Sequence, residues 1–184
     1  SIRALQMEKQ MLQKLYGNYV KAGFGNFVTP YLEGHFNSKR SENYKYGLYL
    51  RHLSSRNGAV DKANSGTSNS NALIYGSYLM DYSTLSADLG YDRRAVRFYG
   101  YDDALTEADV DSDSIRQIFS TISASLKLEG SGGKKSPLKY NAGVSFYTLS
   151  DDLFDISEVN TDIGLGGKYE FSDEASFSVN VDAI

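Results

Sequence analysis

One stretch predicts the fold class: Ser157-Glu-Val-Asn-Thr-Asp-Ile-Gly-Leu-Gly-Gly-Lys-Tyr-Glu-Phe171. Val159, Ile163, Leu165, Tyr169 and Phe171 share one parity, whereas charged residues, Asn and Gly hold the other. Successive side chains of a β-strand point to opposite faces, so this alternation predicts a strand with one apolar and one polar face.

The same alternation recurs along the chain and predicts roughly nine strands without intervening helices. Their expected ranges are 17–27, 31–38, 43–53, 71–81, 84–100, 114–129, 137–149, 156–171 and 175–184. Residues 1–15 form a lead-in segment that fits a short helix or an extended stretch equally well, and residues 16–184 form one domain. The expected fold is all-β: part of an antiparallel, up-and-down transmembrane β-barrel with more strands than these nine.

The predicted connections differ in length. Short ones at 28–30, 81–83 and 172–174 suit tight hairpins, a flexible turn spans 130–137, and long polar connections span 54–70 and 102–113. In an outer-membrane barrel the short turns share the periplasmic side. Short turns and long loops do not alternate cleanly along the predicted strands, which suggests that a strand or loop is miscounted.

Composition excludes several function classes. The 184 residues contain no Cys and only two His, and the net charge is −4, which argues against thiol chemistry, Cys-bound zinc and nucleic-acid binding. A mean hydropathy of −0.41 is typical of soluble proteins, but a barrel needs apolar residues only at alternate positions. No spacing of nucleophile, base and metal ligands indicates an enzyme, so we predict no catalytic, metal or cofactor site.

Charged residues on the polar parity are candidates for lining a barrel lumen. They are Lys21, Glu33, Lys45, Arg51, Asp88, Lys139, Asp162, Lys168 and Glu170. Aromatic residues near predicted strand ends are candidates for a ring at the membrane interface. They are Tyr16, Tyr19, Phe27, Tyr31, Tyr44, Tyr78, Tyr99, Tyr169 and Phe171. Ordinary β-propensity of Tyr and Phe is the alternative explanation for the aromatic positions, and we favour the ring at the interface.

Two clusters have competing interpretations. Asp109, Asp111 and Asp113 alternate as calcium ligands do, but they lack the Gly and closing Glu of an EF-hand, which favours a solvated loop. Arg93 and Arg94 with Arg97 suit either an anionic lipid headgroup or an ion pair in the lumen, and we favour the ion pair.

Part of the sequence resembles a known family. The stretch Leu15-Tyr-Gly-Asn-Tyr-Val-Lys-Ala-Gly-Phe-Gly-Asn-Phe-Val-Thr-Pro-Tyr-Leu-Glu-Gly34, with Phe36-Asn-Ser-Lys-Arg-Ser-Glu-Asn-Tyr-Lys-Tyr-Gly47 and Arg51-His-Leu-Ser-Ser55, resembles TonB-dependent-receptor-like outer-membrane β-barrels of Bacteroidota. The resemblance covers roughly residues 2–101 and implies the outer membrane of a Gram-negative bacterium. It implies membrane lipid as a partner, together with other outer-membrane or periplasmic subunits.

Three functions are therefore considered. The first is a barrel that passes a solute or serves as a TonB-dependent-receptor-like transporter. The second is a structural barrel subunit of an envelope assembly or secretion complex, and the third is a soluble β-sandwich module that binds glycan or protein. Because the chain starts at Ser1 and stops within an alternating run at Ile184, we expect it to be a piece of a longer polypeptide.

Overall fold

The chain forms a single antiparallel sheet. The computed structural model describes residues 17–39, 41–60, 62–98, 100, 110–133, 135–172 and 175–183, so the predicted lead-in at 1–15 lies outside it. Within these ranges the protein is all-β, and each strand pairs with the next one along the chain in one open sheet. The strands are β1 (Tyr19–Gly25), β2 (Thr29–Asn37), β3 (Tyr44–Ser55), β4 (Thr67–Leu79), β5 (Ser83–Arg97), β6 (Arg116–Ser131), β7 (Leu138–Asp151), β8 (Ile156–Ser172) and β9 (Ala175–Ala183). The predicted all-β class and the nine antiparallel strands are confirmed.

The fourth strand begins earlier than predicted. Thr67 to Ser70 carry no apolar side chain, so alternation could not reveal them as a strand. Their backbone nevertheless pairs with Ser55 to His52 of β3, and Ser68 pairs with Ala95 of β5. The strand therefore continues beyond the apolar part of the sheet because its backbone finds hydrogen-bond partners on both sides.

The first hairpin turns earlier than predicted. The turn lies at Asn26 to Val28 rather than at 28–30, and Phe27 and Val28 both have positive φ, 61° and 54°. Two successive positive φ values suit the twist of a tight hairpin, but these residue types give no such signal in a sequence. The carbonyls of Phe27 and Val28 accept hydrogen bonds from the backbone amides of Asn57 and Arg56, which hold the turn against the chain that leaves β3.

The connections differ between the two ends of the sheet. At the end we call the short-loop end, β2–β3, β4–β5, β6–β7 and β8–β9 are joined by six residues or fewer. At the long-loop end, the connections 56–66 and 98–115 are long, and the hairpins after β1 and β7 are short. The expectation of a miscounted strand is wrong, because the nine strands pair in sequence order; the long-loop end holds both long connections and also the short hairpins after β1 and β7.

The register divides the side chains into two faces. The apolar face comprises the even-numbered residues of β1–β4, β6 and β7 and the odd-numbered residues of β5, β8 and β9. The polar face comprises the opposite parity. One row of Cα partners on the apolar face is Leu48, Ile74, Leu89, Ala124 and Phe146.

Burial is reversed from that of a globular domain. Among the described apolar residues only Ala95 is buried, whereas Ile74 is 56% exposed and Leu165 is equally exposed on the same face. Polar-face residues of β5, from Ser86 to Asp92, are each less exposed than their apolar neighbours. The structure thus exposes its apolar face, and in the middle of the sheet it partly shields its polar face. The described part contains one 3-10 helix, Lys62–Ser65, and no helix of the length and apolarity needed to cross a membrane.

The apolar face ends sharply toward the long-loop end. The row Leu50, Ala72, Tyr91 and Ile122 is its last mainly apolar row across β3–β6. The next row, which we call the boundary row, consists of His52, Ser70, Arg93, Ser120, Ser150 and Ser157. The apolar region between this row and the short-loop end is called the apolar belt.

Candidate functional site

The polar face carries the predicted lumen candidates. All nine share it: Lys21, Glu33, Lys45, Arg51, Asp88, Lys139, Asp162, Lys168 and Glu170. The charges are not spread evenly, because Lys45, Lys127, Lys139 and Lys168 lie toward the short-loop end, whereas Asp88, Asp92, Glu158 and Asp162 lie nearer the long-loop end. Glu129 and Glu170 accompany the lysines, and Lys21 and Arg51 lie in the same row as Asp92 and Glu158, so both ends of the face carry charges of both signs.

Glu33 organises the first three strands of this face. Its Cα partners are Lys21 in β1 and Arg51 in β3, so one carboxylate lies between two cations. The hydroxyl of Tyr19 donates to Glu33 Oε1 at 2.7 Å, and that of Tyr31 donates to Oε2. Lys21 Nζ also lies 5.5 Å from the centre of the Tyr31 ring. The cluster links β1 to β2 and β3 through side chains as well as backbone.

The interface aromatics need correction at two positions. Tyr19 and Tyr31 share the polar face with Glu33, because their parity matches that of the charged residues. Phe27 occupies the β1–β2 turn, and Tyr16 and Tyr99 lie outside the described residues.

The remaining predicted aromatics lie on the apolar face toward the short-loop end. Tyr44 and Tyr78 are Cα partners across β3 and β4, and Tyr169 and Phe171 make an edge contact with ring centres 4.9 Å apart. All four rings are exposed. They form two aromatic pairs on the side of the belt where the connections are short.

A serine hydroxyl donates a hydrogen bond to each of the two central carboxylates. One row of the polar face runs Tyr75, Asp88, Ser125, Ser145 and Asp162. Ser125 donates to Asp88, and Ser145 donates to Asp162 Oδ2 at 3.4 Å. Each carboxylate keeps free acceptor capacity, so the middle of the face can accept hydrogen bonds from a polar molecule.

The ring of Tyr75 covers Gly47, a glycine within β3. The Tyr75 hydroxyl donates to Asn37 Oδ1 at 2.5 Å, and its oxygen accepts from His35 Nε2 at 2.9 Å. A Cβ added to Gly47 would lie 2.4 Å from Tyr75 Cζ. The ring therefore packs directly on the glycine backbone, an arrangement that a side chain at Gly47 would prevent.

A cavity opens on the polar face at the short-loop end. Its volume is about 960 Å³, and its lining includes Lys139, Lys168, Glu129, Asn141 and Asn180. Lys139 and Lys168 are Cα partners, and both ammonium groups contact Glu170 Oε1, at 2.7 and 3.0 Å. Two lysines share the Glu170 carboxylate there, while Glu129 and Asp81 also line the cavity, so cations and carboxylates are balanced in its lining.

Asn141 and Asn180 flank a glycine within this cavity. Gly166 pairs with both, and an added Cβ would lie 2.3 Å from Asn141 Oδ1 and 2.6 Å from Asn180 Oδ1. The two amides therefore extend over bare backbone. Sequence reasoning missed them because an isolated Asn on a polar face gives no signal without the cross-strand register.

The arginines are not arranged as predicted. Arg94 lies on the polar face, whereas Arg93 and Arg97 lie on the apolar face because their parity matches that of Tyr91. The favoured ion pair in the lumen is therefore wrong for Arg93 and Arg97. Arg97 instead donates from Nε to the Ser112 carbonyl and from Nη1 to the Gly66 carbonyl, both at 3.2 Å.

No grouping of metal ligands occurs in the described ranges, where no three His, Asp or Glu side chains converge. The backbone amide of Asp113 donates to Asp111 Oδ1 at 3.1 Å, so this acid stretch makes a local turn. Asp109 lies outside the described residues.

Comparisons with known proteins found no match to the chain among protein-family models, curated proteins or solved structures. The resemblance to TonB-dependent-receptor-like barrels stays a prediction. Function is therefore inferred from the two faces of the sheet.

Proposed function

We propose that this chain is part of the wall of a transmembrane β-barrel in the outer membrane of a Gram-negative bacterium, with the polar face lining a passage for a polar solute. The apolar belt is the observation that carries the proposal. An exposed apolar face that crosses nine strands needs an apolar environment, and lipid acyl chains provide one along its whole width.

The belt shifts along the strands in the way that a tilted barrel requires. Among the described residues of the apolar face, the last large apolar side chain toward the short-loop end is Val20 in β1 and Phe177 in β9. The cross-strand row that contains Val20 of β1 contains Val159 of β8. Phe177 of β9 pairs with Tyr169 of β8, which lies ten residues beyond Val159 toward the short-loop end. With a rise of about 3.3 Å per residue and about 4.8 Å between strands, this shift over eight strand steps corresponds to a tilt of roughly 40°. Transmembrane barrels have strand tilts of about 35–45°.

Both ends of the belt also fit this proposal. Its aromatic pairs, Tyr44 with Tyr78 and Tyr169 with Phe171, lie toward the short turns. The boundary row is polar and lies toward the long connections. In outer-membrane barrels short turns are periplasmic and long loops extracellular, with aromatic rings at the interfaces.

The open edges indicate how the barrel would be completed. Among the described residues β1 pairs only with β2, and β9 pairs only with β8, so each end of the described sheet has one unpaired backbone edge. An unpaired edge is not tolerated in lipid. In the proposed barrel, further strands pair with both edges.

A structural barrel subunit of an envelope assembly is the second candidate. It is favoured by the extensive pairing on the polar face, where Glu33 and Glu170 each bind two side chains. A soluble β-sandwich is less well supported, because it would need a second sheet of similar width over the apolar belt.

Ion selectivity distinguishes passage from a purely structural role. In planar bilayers containing the full-length protein, we expect Lys139→Glu with Lys168→Glu to shift the reversal potential toward cations, because both positive charges of the cavity lining become negative. Arg93→Glu, on the opposite face, is the control and should leave selectivity unchanged. A protein that inserts but carries no current would contradict the passage and support the structural role.

A further inference from the structure

All acidic side chains of the strands avoid the apolar face. Throughout the described strands, every Asp, Glu and Lys lies on the polar face. The ionised residues of the apolar face are Arg93, Arg97 and Arg116, which lie together on β5 and β6. This face therefore has one local patch of positive charge, which we call the arginine patch.

Asp111 and Asp113 precede Arg116 in the chain, yet no described carboxylate forms an ion pair with the patch. Arg97 and Arg116 are Cα partners, and like charges placed directly opposite each other are destabilising. None of the three arginines forms an ion pair with a described residue. Arg97 is oriented by the carbonyls of Gly66 and Ser112, and the side chains of Arg93 and Arg116 make no hydrogen bond to the described residues. An external anion would relieve this repulsion.

The patch lies immediately beyond the apolar belt. Arg93 is in the boundary row, two residues from Tyr91, and its Cα partners are Ser70 and Ser120. Arg97 and Arg116 are two rows further toward the long-loop end. All three side chains are half-buried, as is usual for arginines, which bury an apolar stem and keep the charged group accessible.

We propose that Arg93 and Arg116, together with Arg97, bind the phosphate groups of an anionic membrane lipid. The inference rests on the proposed function, because it requires lipid around the apolar belt. At that boundary the acyl chains would cover Tyr91 and Ile122, and the phosphate would meet the arginines. Guanidinium groups bind phosphate oxygens through paired hydrogen bonds, and Ser70 and Ser120 add hydroxyl donors nearby.

Lipid selectivity tests the arginine patch. The full-length protein is equilibrated with equal amounts of phosphatidylglycerol and phosphatidylcholine, and the bound lipids are counted by native mass spectrometry. We expect Arg93→Gln to lower the anionic-to-zwitterionic ratio about fivefold, and Arg93→Gln with Arg116→Gln to lower it further. Arg94→Gln removes the same charge from the adjacent residue on the polar face and should keep the wild-type ratio.

Two outcomes would overturn the inference. Equal ratios for wild type and the Arg93→Gln, Arg116→Gln double variant would show that the patch does not select lipid. Complete competition by excess inorganic phosphate would assign the patch to a soluble anion. Spin labels on the belt of the same samples separate the two proposals. Labels in contact with lipid, combined with unchanged anionic-to-zwitterionic ratios, overturn the arginine patch alone. Labels in contact with water overturn the membrane assignment.

Discussion

Leu126→Arg should destabilise the bilayer-embedded protein by about 2–4 kcal/mol, the cost of an arginine facing lipid near the bilayer midplane. Leu126 lies near the centre of the apolar belt on β6, 46% exposed, with Ala87 and Val144 as Cα partners. None of these neighbours offers a counter-charge or a hydrogen-bond acceptor on its side chain. The measurement is urea-induced unfolding from lipid vesicles, followed by circular dichroism.

Ser125→Arg is the matched control for this prediction. Ser125 is the adjacent residue, on the polar face, and its hydroxyl donates to Asp88. An arginine there gains a carboxylate partner and does not contact lipid, so we expect a much smaller loss of stability. Equal losses for the two variants, or stability retained in Leu126→Arg, would contradict the assignment of the two faces.

Gly47→Ala is expected to cost about 1–3 kcal/mol of stability, the usual range for overpacking a close contact. The new methyl group would lie 2.4 Å from Tyr75 Cζ and 2.7 Å from Asn37 Oδ1. The ring cannot move aside cheaply, because its hydroxyl is held by His35 and Asn37. The variant must therefore break these hydrogen bonds or displace β3 from β4.

Gly143→Ala tests whether this cost is specific to the tyrosine contact. Gly143 is also on the polar face, but an added Cβ there would meet the Leu126 carbonyl oxygen at 3.7 Å, an ordinary contact. We expect its unfolding midpoint in urea to remain near the wild-type value. If both alanine variants unfold at the same urea concentration, Tyr75 does not require a glycine at position 47.

Alternation predicted the strands well where apolar and polar residues alternate clearly. Val159 to Phe171 is such a segment, and β8 covers it entirely. Alternation failed at Thr67 to Ser70, because both faces of a strand are polar once it extends beyond the apolar belt. It failed again at Phe27 and Val28, whose positive φ values have no signature in those residue types.

The site was harder to predict than the strands, because it depends on register. Parity alone placed Glu33 and Lys168 on one face, but Tyr31 follows the same parity and was assigned to the membrane interface for its aromatic character. The arginines show the same effect. Arg93 and Arg94 look like one basic cluster in the sequence, yet a strand sends adjacent side chains to opposite faces.

In the proposed barrel the apolar face contacts lipid while the polar face contacts water. The sequence contains no Cys, so single cysteines for spin labelling can be introduced within it one at a time. The test compares Leu89, Leu126 and Ile163 with Asp88, Ser125 and Asp162, three adjacent pairs on β5, β6 and β8. In vesicles containing the full-length protein, relaxation by oxygen reports lipid contact, and relaxation by a water-soluble nickel chelate reports water.

We predict that oxygen dominates at all three apolar-face positions and that the nickel chelate dominates at their three polar-face neighbours. Nickel-dominated relaxation at Leu89, Leu126 and Ile163 would show that the apolar belt is not in a membrane and would contradict the account.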